Sequence, residues 1–171
     1  NKAFKDVVGE EYESMRESFY SGFGLTAKSD VIAGYNADLV VRDPKNSEKI
    51  LIIEEDKGHY VDSCFLDRFI ANAGRVLDYY IKQGYDDKDI PIICLSSMTS
   101  MINYKNVFHE KIQIYREDIQ KLLKSKVMYF PLCSHSRVGR KKYFSSKECC
   151  FQPDNNLIKR NVQFVQSLMG A

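Results

Sequence analysis

The chain has almost no surplus of charge. Lys and Arg number 25 and Asp and Glu 23, a formal net charge of +2. This excludes a bulk-basic, histone-like way of holding nucleic acid, so attraction to phosphate must come from local clusters. Long apolar runs are also missing. Apolar runs such as Ile50-Leu51-Ile52-Ile53 span only a few residues, whereas a bilayer-spanning helix needs roughly 20. No membrane partner is therefore expected. The start carries no basic-then-apolar export segment. There is no internal repeat, low-complexity tract or linker, and the four prolines, Pro44, Pro91, Pro131 and Pro153, are scattered as punctuation. The chain opens on Asn1 rather than Met, which reads as a piece trimmed from something longer.

What is present reads as one folded domain. The 171 residues fit one domain, and 44% hydrophobic with 28% charged residues argues against disorder. Cysteines number five, an odd count: Cys64, Cys94, Cys133, Cys149 and Cys150. Cys64 and Cys94 adjoin apolar stretches, which suits reduced, partly buried thiols of an intracellular protein better than a disulfide framework. Cys133-x-His135 followed by Cys149-Cys150 offers zinc-type ligands, but the spacing is poor for a structural knuckle.

Apolar residues at three- and four-residue steps (Phe4, Val7, Val8, Tyr12, Met15, Phe19) predict a helix over about 4–20. Two short extended segments follow, about 29–33 and 37–42, around a turn at Gly34-Tyr35-Asn36. Residues 49–56 predict a strand buried on both faces, ended by Gly58. A long amphipathic helix is expected over about 62–83, and an apolar strand over about 90–96. The second half predicts a helix near 116–124, a strand near 126–133, a short strand near 140–144 and a closing helix near 156–168. The whole reads as α/β with a central mixed β-sheet flanked by helices, in the order α-β-β-β-α-β, followed by a C-terminal α/β extension from about residue 97.

The chemistry concentrates at Asp38 and Glu55-Asp56-Lys57. Side chains alternate along a strand, so Glu55 and Lys57 share one face and Glu54 and Asp56 the other. The separation 55 − 38 = 17 accommodates two strand halves and a turn at Asp43–Lys49, so a hairpin brings Asp38 beside Glu55. Two carboxylates and a lysine at a strand end can hold a hard divalent cation and position water against a phosphodiester. Asp56 could add its backbone carbonyl to the metal. The first helix carries Glu10, Glu11 and Glu13. Only Glu11 falls inside the predicted apolar stripe, three after Val8 and four before Met15, where a carboxylate is costly unless it meets a cation. His59, after Gly58, reads as a loop histidine within reach of a phosphate. Arg68, Asn72, Arg75 and Tyr79 share one flank of the long helix and could line a substrate cleft. Arg137, Arg140, Lys141 and Lys142, next to Tyr143 and Phe144, form the basic cluster with aromatics beside it, suited to phosphate contact and base stacking.

Asp38…Glu55-x-Lys57 on this element order resembles the PD-(D/E)xK nuclease superfamily, over about residues 4–96. Ala37 stands where that family often has proline. The resemblance implies a restriction-endonuclease-like core and a metal-dependent nuclease, foremost a DNA endonuclease. Asp38, Glu55 and Lys57 would be catalytic. Glu11, Asp38, Glu55 and Asp56 would serve Mg²⁺, with Mn²⁺ as the alternative ion. Products would carry 5′-phosphate and 3′-hydroxyl ends. Specificity could come from a homodimer or an additional domain. Two other readings stay open: a non-catalytic nucleic-acid-binding or assembly module, and an RNA endonuclease. The RNA enzymes usually carry a histidine ligand before the aspartate, and the first histidine here, His59, comes after Lys57.

Overall fold

A computed structural model describes residues 2–133 and 154–170. The order is α1 (Lys2–Ser21), β1 (Thr26–Ile32), β2 (Tyr35–Asp43), β3 (Asn46–Tyr60), α2 (Ser63–Lys82), β4 (Ile92–Thr99), α3 (Tyr104–Lys111), α4 (Glu117–Lys126), β5 (Val127–Cys133) and α5 (Asn155–Met169). Among the described residues the strands form one five-stranded sheet in the order β1-β2-β3-β4-β5. β1–β2 and β2–β3 pair antiparallel, β3–β4 and β4–β5 parallel. Parallel neighbours need a crossover, which α2 supplies for the first pair and α3 with α4 for the second. The mixed α/β sheet flanked by helices is thus the observed class. Pro131 lies in β5, the edge strand, where a missing backbone donor is tolerated.

β3 is central because its apolar run serves both faces. Ile53 joins Ala37, Val40, Leu66, Phe69 and Ile70 in the core beneath α2, α3 and α4. Ile52 joins Leu39, Val41, Tyr20, Phe130 and Val165 in the core beneath α1 and α5. Ile52, Ile53 and Leu39 are fully buried, each contributing roughly 1.5–3 kcal/mol relative to exposure.

Several local expectations are corrected. The first hairpin closes at Ala33-Gly34, not at Gly34-Tyr35-Asn36, and Ile32 pairs with Tyr35. Both turn residues have positive φ, 52° and 77°, the pair of left-handed residues whose twist matches hairpin strands. Gly34 adopts this freely, whereas Ala33 does so against a steric cost of roughly 1–2 kcal/mol. Tyr35 is therefore the first residue of β2, and it is buried. Gly58 does not end β3, which continues to Tyr60. α3 has no counterpart in the sequence pattern, because none of its residues is buried and its apolar periodicity is thin. Cys64 is exposed, while Cys94 and Cys133 are buried free thiols. Cys149, Cys150 and the expected strand near 140–144 lie outside the described residues. No described helix is long and apolar enough to cross a membrane.

Candidate functional site

The site begins with a fault in the β1–β2 ladder. Lys28 pairs with Val40 but Asp30 pairs with Ala37, so Asp38 and Leu39 together face Ser29. This is a β-bulge, a device that re-aims a side chain. Its effect shows in the packing. Ala37 and Val40, three residues apart, line the same core, which strict alternation would forbid. On the other side Leu39 pairs with Glu54, so Asp38 and Glu55 are the next residues outward on the two strands. Asp38 Oδ2 accepts a hydrogen bond from the Asp56 backbone N–H at 2.8 Å. The expected meeting of Asp38 with Glu55 is present, and the bulge aims it.

Glu55 is held by the Tyr35 hydroxyl, which donates a hydrogen bond to its Oε2. Burial, then the charge of Asp38, pushes the Glu55 carboxyl up to about 7, and Glu13 adds to the effect. Glu13, on α1, is likewise pushed up to about 7, by burial and then by its contact with Asp38. Asp38 thus links carboxyls from α1 and β3, and none of the strongest influences on Glu13 or Glu55 is a lysine or arginine. Anionic oxygens without a countercharge are the donor set a hard divalent cation takes. The contacts are pairwise through Asp38: among the described residues no three His, Cys, Asp or Glu side chains stand together as a ready metal cage.

The expectation for Glu11 is overturned. It is exposed, and Glu13 takes the inward place. The buried stripe of α1 is Tyr12, Arg16 and Tyr20, four residues apart. At about 100° per residue, Glu13 falls roughly 20° from Tyr20, and Glu11 roughly 180° from it. Met15, a member of the expected apolar stripe, is 40% exposed. The signal that could have found Glu13 is the tyrosine–arginine–tyrosine stripe, hidden because its middle member is charged.

Lys57 shares the Glu55 face, but its ammonium lies 4.8 Å from the centre of the Phe65 ring. The Arg68 guanidinium lies 5.9 Å from the same ring. Two cations therefore flank the first turn of α2, whose N-cap Asp62 accepts from the Phe65 N–H. Farther along α2, Arg75 donates to Asn72 Oδ1 at 2.6 Å. Arg68, Arg75 and Tyr79 are exposed on this flank. Arg137, Arg140, Lys141 and Lys142 lie outside the described residues.

The opposite face of β3 holds a buried ion pair for which the sequence carries no warning. Arg16 grips Glu54 with two bonds, Nε to Oε2 at 3.0 Å and Nη2 to Oε1 at 2.8 Å. Tyr20 donates to Glu54 Oε1 at 2.6 Å, and Arg16 Nη1 donates to Asn161 Oδ1 on α5 at 2.6 Å. Burial alone would raise the Glu54 carboxyl, but Arg16 overrides it and holds the group down to about 2. Asp56 points to this side, away from Glu55. Neither of its buried oxygens meets a donor. Burial and then the charge of Glu54 push its carboxyl well above the usual carboxylate range. The side chain of Asp56 is thus not one of the gathered carboxylates; its contribution to them is the N–H that holds Asp38.

The raised carboxyls make a stability prediction. A carboxyl that binds its proton more tightly when folded stabilises the fold below its unfolded pKa, and that contribution is lost as pH rises through the folded value. For Glu13 and Glu55 the window runs from 4.5 to about 7. Were these carboxyls to hold Mg²⁺ or Mn²⁺, the ion should raise Tm at about pH 8, where both groups are ionised, and much less at about pH 5. Thermal melts with the metal or with EDTA at the two pH values check this. Equal metal shifts at both would contradict it.

No family model, curated protein or solved structure matches this chain.

Proposed function

We propose that the chain is a metal-dependent nuclease of the PD-(D/E)xK kind, hydrolysing phosphodiester bonds in DNA. The observation that carries this reading is the linkage of Glu13, Asp38 and Glu55 at the bulge in β2, with Lys57 on the Glu55 face of β3. Carboxyls drawn into mutual repulsion weaken a fold and serve no packing purpose, whereas a hard cation accounts for them. Glu13, Asp38 and Glu55 would hold Mg²⁺, or Mn²⁺, which when bound polarises a phosphoryl oxygen and makes water a stronger acid. Lys57 orients the attacking water or stabilises negative charge as it develops on the phosphate. Arg68, beside it at the start of α2, offers a phosphate contact. Asp56 fixes Asp38 through its N–H.

The test is incubation with supercoiled plasmid, linear duplex, single-stranded DNA and RNA, each with Mg²⁺, Mn²⁺ or EDTA. Metal-dependent cutting of DNA, with 5′-phosphate and 3′-hydroxyl ends, is expected. Cutting of RNA alone would move the substrate class, and no cutting of any substrate would overturn the reading.

The corrected helix phase adds a sharper expectation. Glu13→Gln should lower the cleavage rate roughly 10–100-fold, and Glu11→Gln by no more than about twofold. Initial rates of plasmid nicking measure both. Equal effects would mean that α1 contributes no ligand.

A further inference from the structure

We propose that Tyr35 is a positioning residue for Glu55, fixing the carboxylate so that one oxygen stays free for the divalent cation. This rests on the metal-dependent reading above.

Three observations support it. Tyr35 is only 6% exposed, and its ring packs in the core cluster beneath α2. Its hydroxyl donates to Glu55 Oε2 across 20 positions of sequence. It is also the first residue after a turn that places an alanine at φ 52°, so the chain accepts strain next to it. A phenylalanine would fill the same core space without a hydroxyl to satisfy, and burying a hydroxyl is costly unless it is bonded. Here the hydroxyl meets Glu55. A carboxylate with one oxygen so held has lost most of its rotational freedom, and the other oxygen keeps a fixed direction. Partners that orient ligands in this way typically change metal affinity or activity 10–100-fold when removed.

The experiment is a Mn²⁺ titration of the metal-free protein, following loss of the free-ion paramagnetic signal. Tyr35→Phe should bind Mn²⁺ roughly 10–100-fold more weakly than wild type, with an unchanged far-UV spectrum. Placed on Glu55→Gln, Tyr35→Phe should change nothing further, because the held oxygen's role is already gone. Unchanged affinity in Tyr35→Phe, or an equal loss in the Glu55→Gln background, would overturn the inference while leaving the nuclease reading in place. Failure of the wild type to take up Mn²⁺ would overturn both.

Discussion

Arg16→Met is expected to destabilise the protein by about 3–5 kcal/mol, the usual cost of leaving one member of a buried ion pair behind. Arg16 and Glu54 side chains are 7% and 0% exposed. Removing the guanidinium strands a buried carboxylate that keeps the hydrogen bond from the Tyr20 hydroxyl but has lost its countercharge. For a domain of this size about 1 kcal/mol corresponds to 2–4 °C, so Tm should fall by roughly 6–20 °C. Arg16→Met with Glu54→Leu should recover most of the loss, since apolar replacement of a whole buried pair is often neutral. The pair also sets acid stability. Glu54 is depressed in the fold, so its contribution is present above its unfolded value of 4.5 and lost as pH falls toward about 2. Urea melts of the single and double variants decide the matter; a single-variant loss under about 1 kcal/mol would mean that water reaches the pair. The effect bears on the site as well, because this network fixes the rotation of α1 and hence the place of Glu13.

The same network explains how far the sequence can be read. Strands and long helices are legible where apolar residues carry the period, as in Ile50–Ile53 and the stripe of α2. The Asp38–Glu55 meeting is legible too, because strand alternation and a short hairpin leave little freedom. The inward face of α1 is not, because Arg16 occupies its core line, and a rule that seeks apolar residues inside passes over a buried arginine. Tyr35 reads as a turn residue because Gly34 beside it signals one; the left-handed Ala33 that moves the turn back has no sequence mark. The bulge at Asp38 is likewise invisible, since it is a register difference between two strands rather than a property of either. The resting place of Lys57 over Phe65 depends on where α2 begins relative to β3, which spacing alone does not fix.

Asp38→Asn and Glu55→Gln are each expected to lower the cleavage rate by roughly 10²–10³-fold, the loss seen when one preorganised charged or polar group is removed from a reaction centre. The amides are the informative variants. In Asp38→Asn the side-chain carbonyl oxygen can still accept the Asp56 N–H that Asp38 Oδ2 accepts at 2.8 Å, whereas alanine would leave that donor unpaired at a cost of about 1–3 kcal/mol. Removing one charge from a mutually repelling group should hold or raise the metal-free Tm near neutral pH. A fall in activity therefore cannot be ascribed to unfolding. The most direct measurement of the central claim is a time course of supercoiled plasmid relaxation in Mg²⁺, with wild type, Asp38→Asn and Glu55→Gln purified identically and an EDTA control. Relaxation by wild type in Mg²⁺, absent in EDTA and reduced by the stated factor in both variants, is the predicted result. Wild-type rates in the two variants, or relaxation indifferent to EDTA, would contradict the account.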